Sequence, residues 1–185
     1  MKKLIIATAI LLLSIAPAMA GNYAKGTLGY FSPAESNYDG TFNLYGAYGL
    51  DLKKKFNAPV TAEFGIGYSS QSGGDSWYDY SATVIPITAT ALYKLPIVLP
   101  TVPKVSFNVG AGLGLYFWSV EVDGPTIFPG FNSSYSDDGS DFGFHLQAGA
   151  DYKLDKQLSL VGELKWSAVD VGDGTSINFG AKYNF

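Results

Sequence analysis

The feature that most constrains this chain is an alternation of apolar and polar residues with a period of two, which recurs along most of its length. The C-terminal segment shows it most clearly, since Ile177, Phe179, Ala181, Tyr183 and Phe185 alternate with small or polar residues. Successive side chains of an extended strand point to opposite faces. The segment is therefore predicted to be a strand with one apolar face and one polar face.

The same alternation occurs in seven further segments, so the sequence predicts eight strands. They cover residues 24–31, 42–51, 60–69, about 77–95, 105–117, 142–153, 158–167 and 176–185. Strands of roughly 9 to 13 residues suit a tilted strand that crosses a membrane. After residue 20 no apolar stretch reaches 18 residues, so no membrane-spanning helix is predicted there.

The connections between the predicted strands alternate in character. Residues 53–57, 96–103 and 155–157 form compact or Pro-bearing turns, whereas residues 33–39, 71–76, 120–140 and 171–174 form mostly polar loops that carry Gly, Ser or Asp. Short turns at one end and longer loops at the other are typical of bacterial outer-membrane barrels. The predicted fold is therefore an all-β, eight-stranded antiparallel up-and-down transmembrane β-barrel, with short periplasmic turns and longer extracellular loops.

A water-soluble antiparallel barrel or sandwich would show the same alternation, with its apolar face turned inward. The composition favours the membrane alternative. Charged residues make up only 15% of the chain, against about 25% in a typical soluble domain. The polar faces are rich in Gly, Ser, Thr and Asn, and aromatic residues concentrate near the strand ends, as they do at membrane interfaces.

Residues 1–20 have the features of a secretory signal peptide. Lys2 and Lys3 precede an apolar run over residues 4–15, and Ala18 and Ala20 provide the small residues before a predicted cleavage site. The run is shorter than the roughly 20 residues of a spanning helix. Its removal leaves one predicted domain, residues 21–185, with ten Lys, no Arg, no Cys and 16 acidic residues, hence a formal charge of −6.

The segment from Ile177 to Phe185 resembles the C-terminal signature of outer-membrane β-barrels, which ends in an aromatic residue. The chain from residue 21 onward resembles the small eight-stranded outer-membrane barrel family, of the outer membrane protein W or X type, with its outer membrane protein beta-barrel domain. This resemblance implies an integral protein of the outer membrane with both termini in the periplasm. It also implies an assembly signal at Phe179, Tyr183 and Phe185 that the barrel-assembly machinery reads.

The charged residues are distributed unevenly in this predicted topology. The outer loops and strand ends carry no Lys but eleven acidic residues, namely Glu35, Asp39, Asp75, Asp79, Glu121, Asp123, Asp137, Asp138, Asp141, Asp170 and Asp173. An acidic rim disfavours nucleic acid and other polyanions. The expected partners are outer-membrane lipid and lipopolysaccharide together with the barrel-assembly machinery, without nucleic acid, and the protein is expected to be a monomer.

A polar cluster is predicted inside the barrel. Its members are Glu63, His145, Asp151, Glu163, Lys165 and Lys182. If the last hairpin turns near residues 172–173, Glu163 lies opposite Lys182, and the two are expected to pair. The lumen of an eight-stranded barrel is only wide enough for side chains, so Tyr45 and Tyr116 are expected to fill the space beside inward-facing glycines. A general porin channel is therefore not expected.

Two local features have alternative interpretations. Pro86 lies within the fourth strand and cannot donate a ladder hydrogen bond, which predicts either a β-bulge or a lateral opening toward lipid. The acidic loop residues Asp137, Asp138, Asp141, Asp170 and Asp173 either bind Ca²⁺ weakly or are simply solvated, since neither cluster has an EF-hand spacing. No other metal site and no cofactor is predicted.

Three functions remain open at this point. The first is a non-enzymatic envelope barrel with a structural or loop-mediated binding role, and the second is a narrow conduit for small hydrophobic compounds with a lateral exit near Pro86. The third is a lipid A-modifying enzyme, which is disfavoured. The lipid A deacylase family has a His followed two residues later by Ser, but here Gln147 stands two residues after the only histidine, His145. The alternation also assigns His145 to the lumen. No catalytic residue is predicted.

Overall fold

The computed structural model describes residues 21–34, 40–53, 57, 59–74, 79–123, 134–170 and 173–185. The predicted signal peptide lies outside these residues. The described chain forms eight strands: β1 (Tyr23–Pro33), β2 (Thr41–Asp51), β3 (Val60–Gly74), β4 (Asp79–Lys94), β5 (Val105–Asp123), β6 (Ser134–Lys153), β7 (Leu158–Ala168) and β8 (Gly174–Asn184). The prediction of eight strands is confirmed.

The strands form one closed antiparallel barrel in which each strand pairs with its neighbours in the sequence. The barrel closes because β1 pairs with β8, from Tyr23 opposite Asn184 to Pro33 opposite Gly174. Beyond the end of β8, the backbone N–H of Phe185 donates to the carbonyl oxygen of Asn22 at 2.9 Å. Closure leaves the wall without a free strand edge, and the predicted up-and-down topology is confirmed.

The pairing has a definite stagger around the barrel. A path that steps from partner to partner starts at Tyr23 and returns to β1 at Pro33, ten residues further along. It passes through Gly49, Glu63, Thr90, Gly112, His145, Ser167 and Gly174. This stagger corresponds to a shear number of ten, and barrels of this type have strands tilted by roughly 35–45° from the barrel axis.

The barrel has an apolar exterior and a polar interior. Phe42, Leu28 and Phe179 are 81%, 67% and 66% exposed on the outer face, whereas Thr27, Thr90 and Asn178 are buried inside. This is the reverse of a water-soluble barrel, which packs its apolar faces against each other. The structure therefore excludes the soluble alternative. Among the described residues, no helix is long and apolar enough to cross a membrane.

The two ends of the barrel differ, and we name them by what they carry. The terminal rim carries the ends of the described chain and the β2–β3, β4–β5 and β6–β7 connections, and the loop rim carries the other connections. At the terminal rim Asp155 Oδ1 accepts hydrogen bonds from the backbone N–H groups of Gln157 (2.7 Å) and Leu158 (2.8 Å). These bonds hold the pKa of the Asp155 carboxyl below its usual value. The predicted turn at residues 155–157 is confirmed.

At the loop rim the structure differs from the prediction, because three strands are clearly longer than the alternation indicates. β3 continues to Gly74, β5 continues to Asp123 and β6 begins at Ser134, so parts of the predicted loops 71–76 and 120–140 are strand. Polar residues on both faces hide the period of two there, but backbone pairing between the strands persists. In this region the four strands β3 to β6 pair in five rows of four residues each. We call the region, which consists of residues 70–74, 79–83, 119–123 and 134–138, the raised sheet.

Glycines make room for the larger lumenal side chains, as predicted. A Cβ built on Gly112 would lie 2.6 Å from both Cε1 and Nε2 of His145. A Cβ on Gly114 would lie 2.9 Å from Cε2 of Tyr116. By contrast, a Cβ on Gly26 would have no heavy atom within 4 Å. The inward glycine Gly112 therefore fixes the space that its neighbour His145 occupies.

This difference predicts the outcome of a matched pair of substitutions. Gly112→Ala should lower the free energy of unfolding by about 1–3 kcal/mol, because the added methyl group would overlap both the backbone carbonyl oxygen of Ala89 and the buried His145 ring. Gly26→Ala, which adds the same methyl group to an open position, should leave the stability nearly unchanged. Urea unfolding of both variants in liposomes measures the difference. Equal stability of the two variants would show that the lumen near His145 is loosely packed.

Candidate functional site

The six predicted lumenal residues all point into the barrel. Glu63 and His145 are 0% exposed, and Glu163 and Lys165 are also buried. The side chains of Asp151 and Lys182 lie nearer the terminal rim and are 15% and 14% exposed. The structure therefore has all six side chains on the lumenal face of the wall.

A buried ion network, consisting of Tyr23, Lys25, Glu63, Gln147 and Glu163, crosses the lumen. Lys25 Nζ lies 2.8 Å from Glu63 Oε2 and also pairs with Glu163 Oε1. The hydroxyl of Tyr23 donates to Glu63 Oε2 at 2.6 Å, and Gln147 Nε2 donates to Glu163 Oε1 at 2.9 Å. One ammonium on β1 thus joins carboxylates on β3 and β7 across the barrel.

Sequence reasoning did not include Lys25 in the lumenal cluster, although it is the residue that joins the two glutamates. The alternation of β1 contains the necessary signal, since Lys25 has the same parity as the inward residues Tyr23 and Thr27. That segment has the weakest alternation of the eight, however, and the partners of Lys25 are far away in the sequence. Only the closed barrel brings the three charges together.

The predicted pair of Glu163 with Lys182 is wrong. In the structure Glu163 lies opposite Asn178, and Lys182 lies opposite Ser159. The β7–β8 connection is centred two residues earlier than the prediction placed it, which shifts the register by four residues. Lys182 instead pairs with Asp151 on β6.

His145 bonds one neutral hydroxyl in the lumen. Its Nε2 atom and Thr90 Oγ1 are 2.8 Å apart and share a hydrogen bond. Its Nδ1 atom is buried without a hydrogen-bond partner in the described part of the chain. Because His145 is fully buried, it does not contact the lipid outside the barrel.

A cavity of about 70 Å³ lies on the loop-rim side of the ion network. Its polar lining includes Lys165, Thr88, Ser167, Ser176 and Asn178, and its apolar lining includes Phe31, Val84 and Pro86. Tyr45 and Tyr116, which were expected to fill the lumen, also line it. The Tyr45 hydroxyl is 2.5 Å from Thr88 Oγ1, and its ring packs under Lys165 Nζ.

At Pro86 the structure shows an interrupted ladder and no β-bulge. Ile66 lies opposite Ile87, and Ser69 lies opposite Val84, so the register is the same on both sides. No pairing joins residues 67–68 to residues 85–86. A bulge would require an extra residue in one strand. Pro86 lacks the N–H, and the interruption lies directly beside the cavity.

The predicted calcium candidates are not gathered into a site. Asp141 accepts a hydrogen bond from Trp118 Nε1 at 2.8 Å, and Asp137 accepts one from the Tyr135 hydroxyl at 3.2 Å. No group of three or more His, Asp or Glu residues that could hold a metal ion occurs in the part of the chain that the structure describes. Glu35, Asp39 and Asp75 of the predicted acidic rim lie outside that part.

The closed eight-stranded barrel, with an apolar exterior and paired charges inside, defines an integral outer-membrane β-barrel protein. The model of the family described as "Outer membrane protein beta-barrel domain" matches residues 5–185. The chain therefore belongs to this family, and its resemblance to the small outer-membrane barrels is confirmed.

Several solved structures share this fold. Neisserial surface protein A has 17% identity and a TM-score of 0.61, with 91% of this chain and all of that chain covered. Ail, the attachment invasion locus protein of Yersinia pestis, has 15% identity and a TM-score of 0.58, with 90% and 100% covered. A major outer membrane protein of Thermus thermophilus has 14% identity and a TM-score of 0.65, also with 90% and 100% covered. No curated protein sequence matches the chain significantly.

The ion network predicts a large effect of removing its central charge. Lys25→Met should lower the free energy of unfolding by about 3–5 kcal/mol, because two buried carboxylates lose their counter-ion. Lys182→Met, which removes one member of the more exposed pair, should cost less. Denaturant unfolding in liposomes measures both changes.

A compensating variant tests the cause of that effect. Adding Glu63→Gln and Glu163→Gln to Lys25→Met removes the unpaired charges and should recover much of the lost stability. If the triple variant is no more stable than Lys25→Met, the ion pairs do not account for the loss.

Proposed function

We propose that this protein is a non-enzymatic, non-conducting outer-membrane barrel with a structural role, which also presents a binding surface at its loop rim. The observation that carries this proposal is the buried ion network. It places polar side chains from β1, β3, β6 and β7 across the lumen, in contact with one another. Because these side chains bind one another across the lumen, they leave no continuous water-filled path through the barrel.

The raised sheet supports the binding role. It stands beyond the end of the pairing of β6 with β7, whose last pair is Phe144 with Ala168. Its strands carry Asp79, Glu121, Asp123, Asp137 and Asp138, and none of its residues is Lys. A surface of this charge favours cationic partners over polyanions.

The absence of an enzymatic role is supported by the position of the only histidine. General-base and nucleophile-activating chemistry most often uses His. His145 is 0% exposed and bonds Thr90 inside the lumen, out of reach of a lipid substrate on the outer face.

We further propose that the terminal rim faces the periplasm. The lysines at this rim, Lys53, Lys94, Lys104, Lys153 and Lys156, suit anionic phospholipid headgroups. Outer-membrane lipid and lipopolysaccharide then surround a monomer. Phe179, Tyr183 and Phe185 lie exposed on the outer face of the closing strand and its end, where the barrel-assembly machinery can read them.

Planar-bilayer recordings test the non-conducting barrel. The reconstituted protein should give no stable channel currents, whereas Lys25→Ala/Glu63→Ala/Glu163→Ala, which empties the ion network, should give small ones. Lys182→Ala serves as the control, since it removes a lumenal charge outside the network. Steady ion currents through the unmodified protein would overturn the proposal.

A second function, a narrow conduit for small hydrophobic compounds, is favoured by one specific observation. The cavity is lined by Gly67, Tyr68 and Pro86, and these residues flank the interrupted ladder between β3 and β4. A compound that enters the loop-rim half of the lumen would leave there, through the wall, without passing the ion network.

Liposome uptake of a neutral hydrophobic solute tests this conduit. Pro86→Thr restores the missing N–H and should slow uptake, because it allows the ladder to close. Pro96→Thr is the matched control, since Pro96 lies in the β4–β5 connection and outside the sheet. Uptake that stays the same in Pro86→Thr would count against a lateral exit.

A further inference from the structure

The outer face of the raised sheet differs in chemistry from the outer face of the barrel below it. On β5, the exposed residues Leu115 and Phe117 are followed at every second position by Ser119, Glu121 and Asp123. The same change from apolar to polar occurs on β3, β4 and β6. The outward side chains of the raised sheet are Ser70, Ser72, Asp79, Ser81, Thr83, Ser119, Glu121, Asp123, Ser134, Ser136 and Asp138. This set, which we call the outer polar face, has seven hydroxyls and four carboxylates and contains no Lys.

The members of the outer polar face lie side by side in rows that cross the four strands. Ser81 is paired with Ser72 on one side and with Glu121 on the other, and Ser136 completes this row. The row nearest the apolar exterior consists of Ser70, Thr83, Ser119 and Asp138. Neighbours in such a row have Cβ atoms about 4.5–5.5 Å apart. The polar groups of the four strands therefore form one continuous surface for hydrogen bonding.

These side chains are short and have few partners within the protein. In the described part of the chain one hydrogen bond joins two of them, from Thr83 Oγ1 to Ser70 Oγ at 3.4 Å, and no ion pair involves any of them. Long side chains such as Lys, Gln and Glu lose the most rotamer freedom when they are ordered, and Glu121 is the only one of that kind here. A hydroxyl both donates and accepts hydrogen bonds. A ligand with several hydroxyls can therefore bind this surface at a low entropic cost.

The outer polar face continues the lipid-facing surface without a gap. Just below it, the outward residues Tyr68, Ile85 and Phe117 belong to the apolar exterior. Asp123 lies six residues beyond Phe117. With a rise of about 3.3 Å per residue and a tilt of roughly 35–45°, the face extends about 15 Å above the apolar exterior. A lipid whose acyl chains pack on the apolar exterior of these strands therefore has its headgroup beside the outer polar face.

The charge of the outer polar face restricts which headgroup can bind. Asp79 lies directly opposite Asp123, and Glu121 is on the same face two residues before Asp123. These carboxylates repel one another and disfavour an anionic headgroup such as a phosphate, for which the face has no Lys. A carboxylate is also a hydrogen-bond acceptor, however, and the hydroxyls of an uncharged sugar donate hydrogen bonds. The face thus favours an uncharged headgroup with several hydroxyls.

We propose that the outer polar face binds the uncharged sugar headgroup of a glycolipid that lies beside the barrel. Glu121, Asp79 and Asp123 accept hydrogen bonds from the sugar hydroxyls, and the serine hydroxyls both donate to them and accept from them. The acyl chains of the same molecule pack below, on the apolar exterior. This inference rests on the proposed binding role of the loop rim and gives that role a ligand class.

Native mass spectrometry of the protein, released from nanodiscs with equal amounts of digalactosyldiacylglycerol and phosphatidylcholine, tests this site. The protein should retain the glycolipid over phosphatidylcholine by about fivefold, which corresponds to about one net hydrogen bond. Ser81→Ala/Ser119→Ala/Ser136→Ala removes three hydroxyls from the outer polar face and should lower this preference at least about twofold. Gln71→Ala/Asp137→Ala is the matched control and should keep the preference, because it removes polar groups from the inner face of the same sheet.

Equal retention of the two lipids would show that the serines are merely hydrated and would overturn the proposal, as would an unchanged preference in the serine variant. A cationic lipid in place of the glycolipid provides a further decision. If it is retained more strongly and loses this advantage in Asp79→Asn/Asp123→Asn, the face selects by charge and the proposal is wrong. Loss of the sugar preference leaves the non-conducting barrel standing, whereas channel currents through the unmodified protein reject that barrel and leave the lipid preference unaffected.

Discussion

The constraint on which this structure depends is that backbone N–H and C=O groups in lipid must find their partners within the protein. A sheet can meet this requirement only by closing on itself, and here the pairing of β1 with β8 completes the closure. In the closed barrel, successive side chains of each strand point alternately toward the lipid and toward the lumen. The apolar exterior and the polar interior are both consequences of the same hydrogen-bonded cylinder.

Because the lumen is narrow, charged side chains inside it lie close enough to pair with one another. Side chains from opposite walls meet across it, so Lys25 reaches carboxylates on β3 and β7 at the same time. Room for these contacts comes from glycines, as at Gly112 beside His145. The result is an interior with two regions: a closed network on one side and, toward the loop rim, a cavity in which Lys165 has no acidic partner within the described chain.

Much of this could be predicted from the sequence, because the alternation that assigns a residue to the inside or the outside is local. Glu63, His145, Glu163 and Lys165 are buried on the face that this alternation indicates. Contacts between strands depend on register, which is not local, and an error of two residues in the centre of one turn separated Glu163 from its predicted partner Lys182. The full length of β5 and β6 is not predictable in the same way, because polar residues on both faces of the loop-rim ends leave no period of two to detect.

The constant register across Pro86 has a consequence for how this wall can behave. A bulge would send the side chains beyond it to the opposite face of the sheet, but here Gly65 before the interruption and Ser69 after it still point inward. The two strands therefore lack ladder pairing over two residue pairs, while the pairs on both sides keep the same register. Any parting of the two strands there would therefore need no change of register, because the pairs on either side are already aligned.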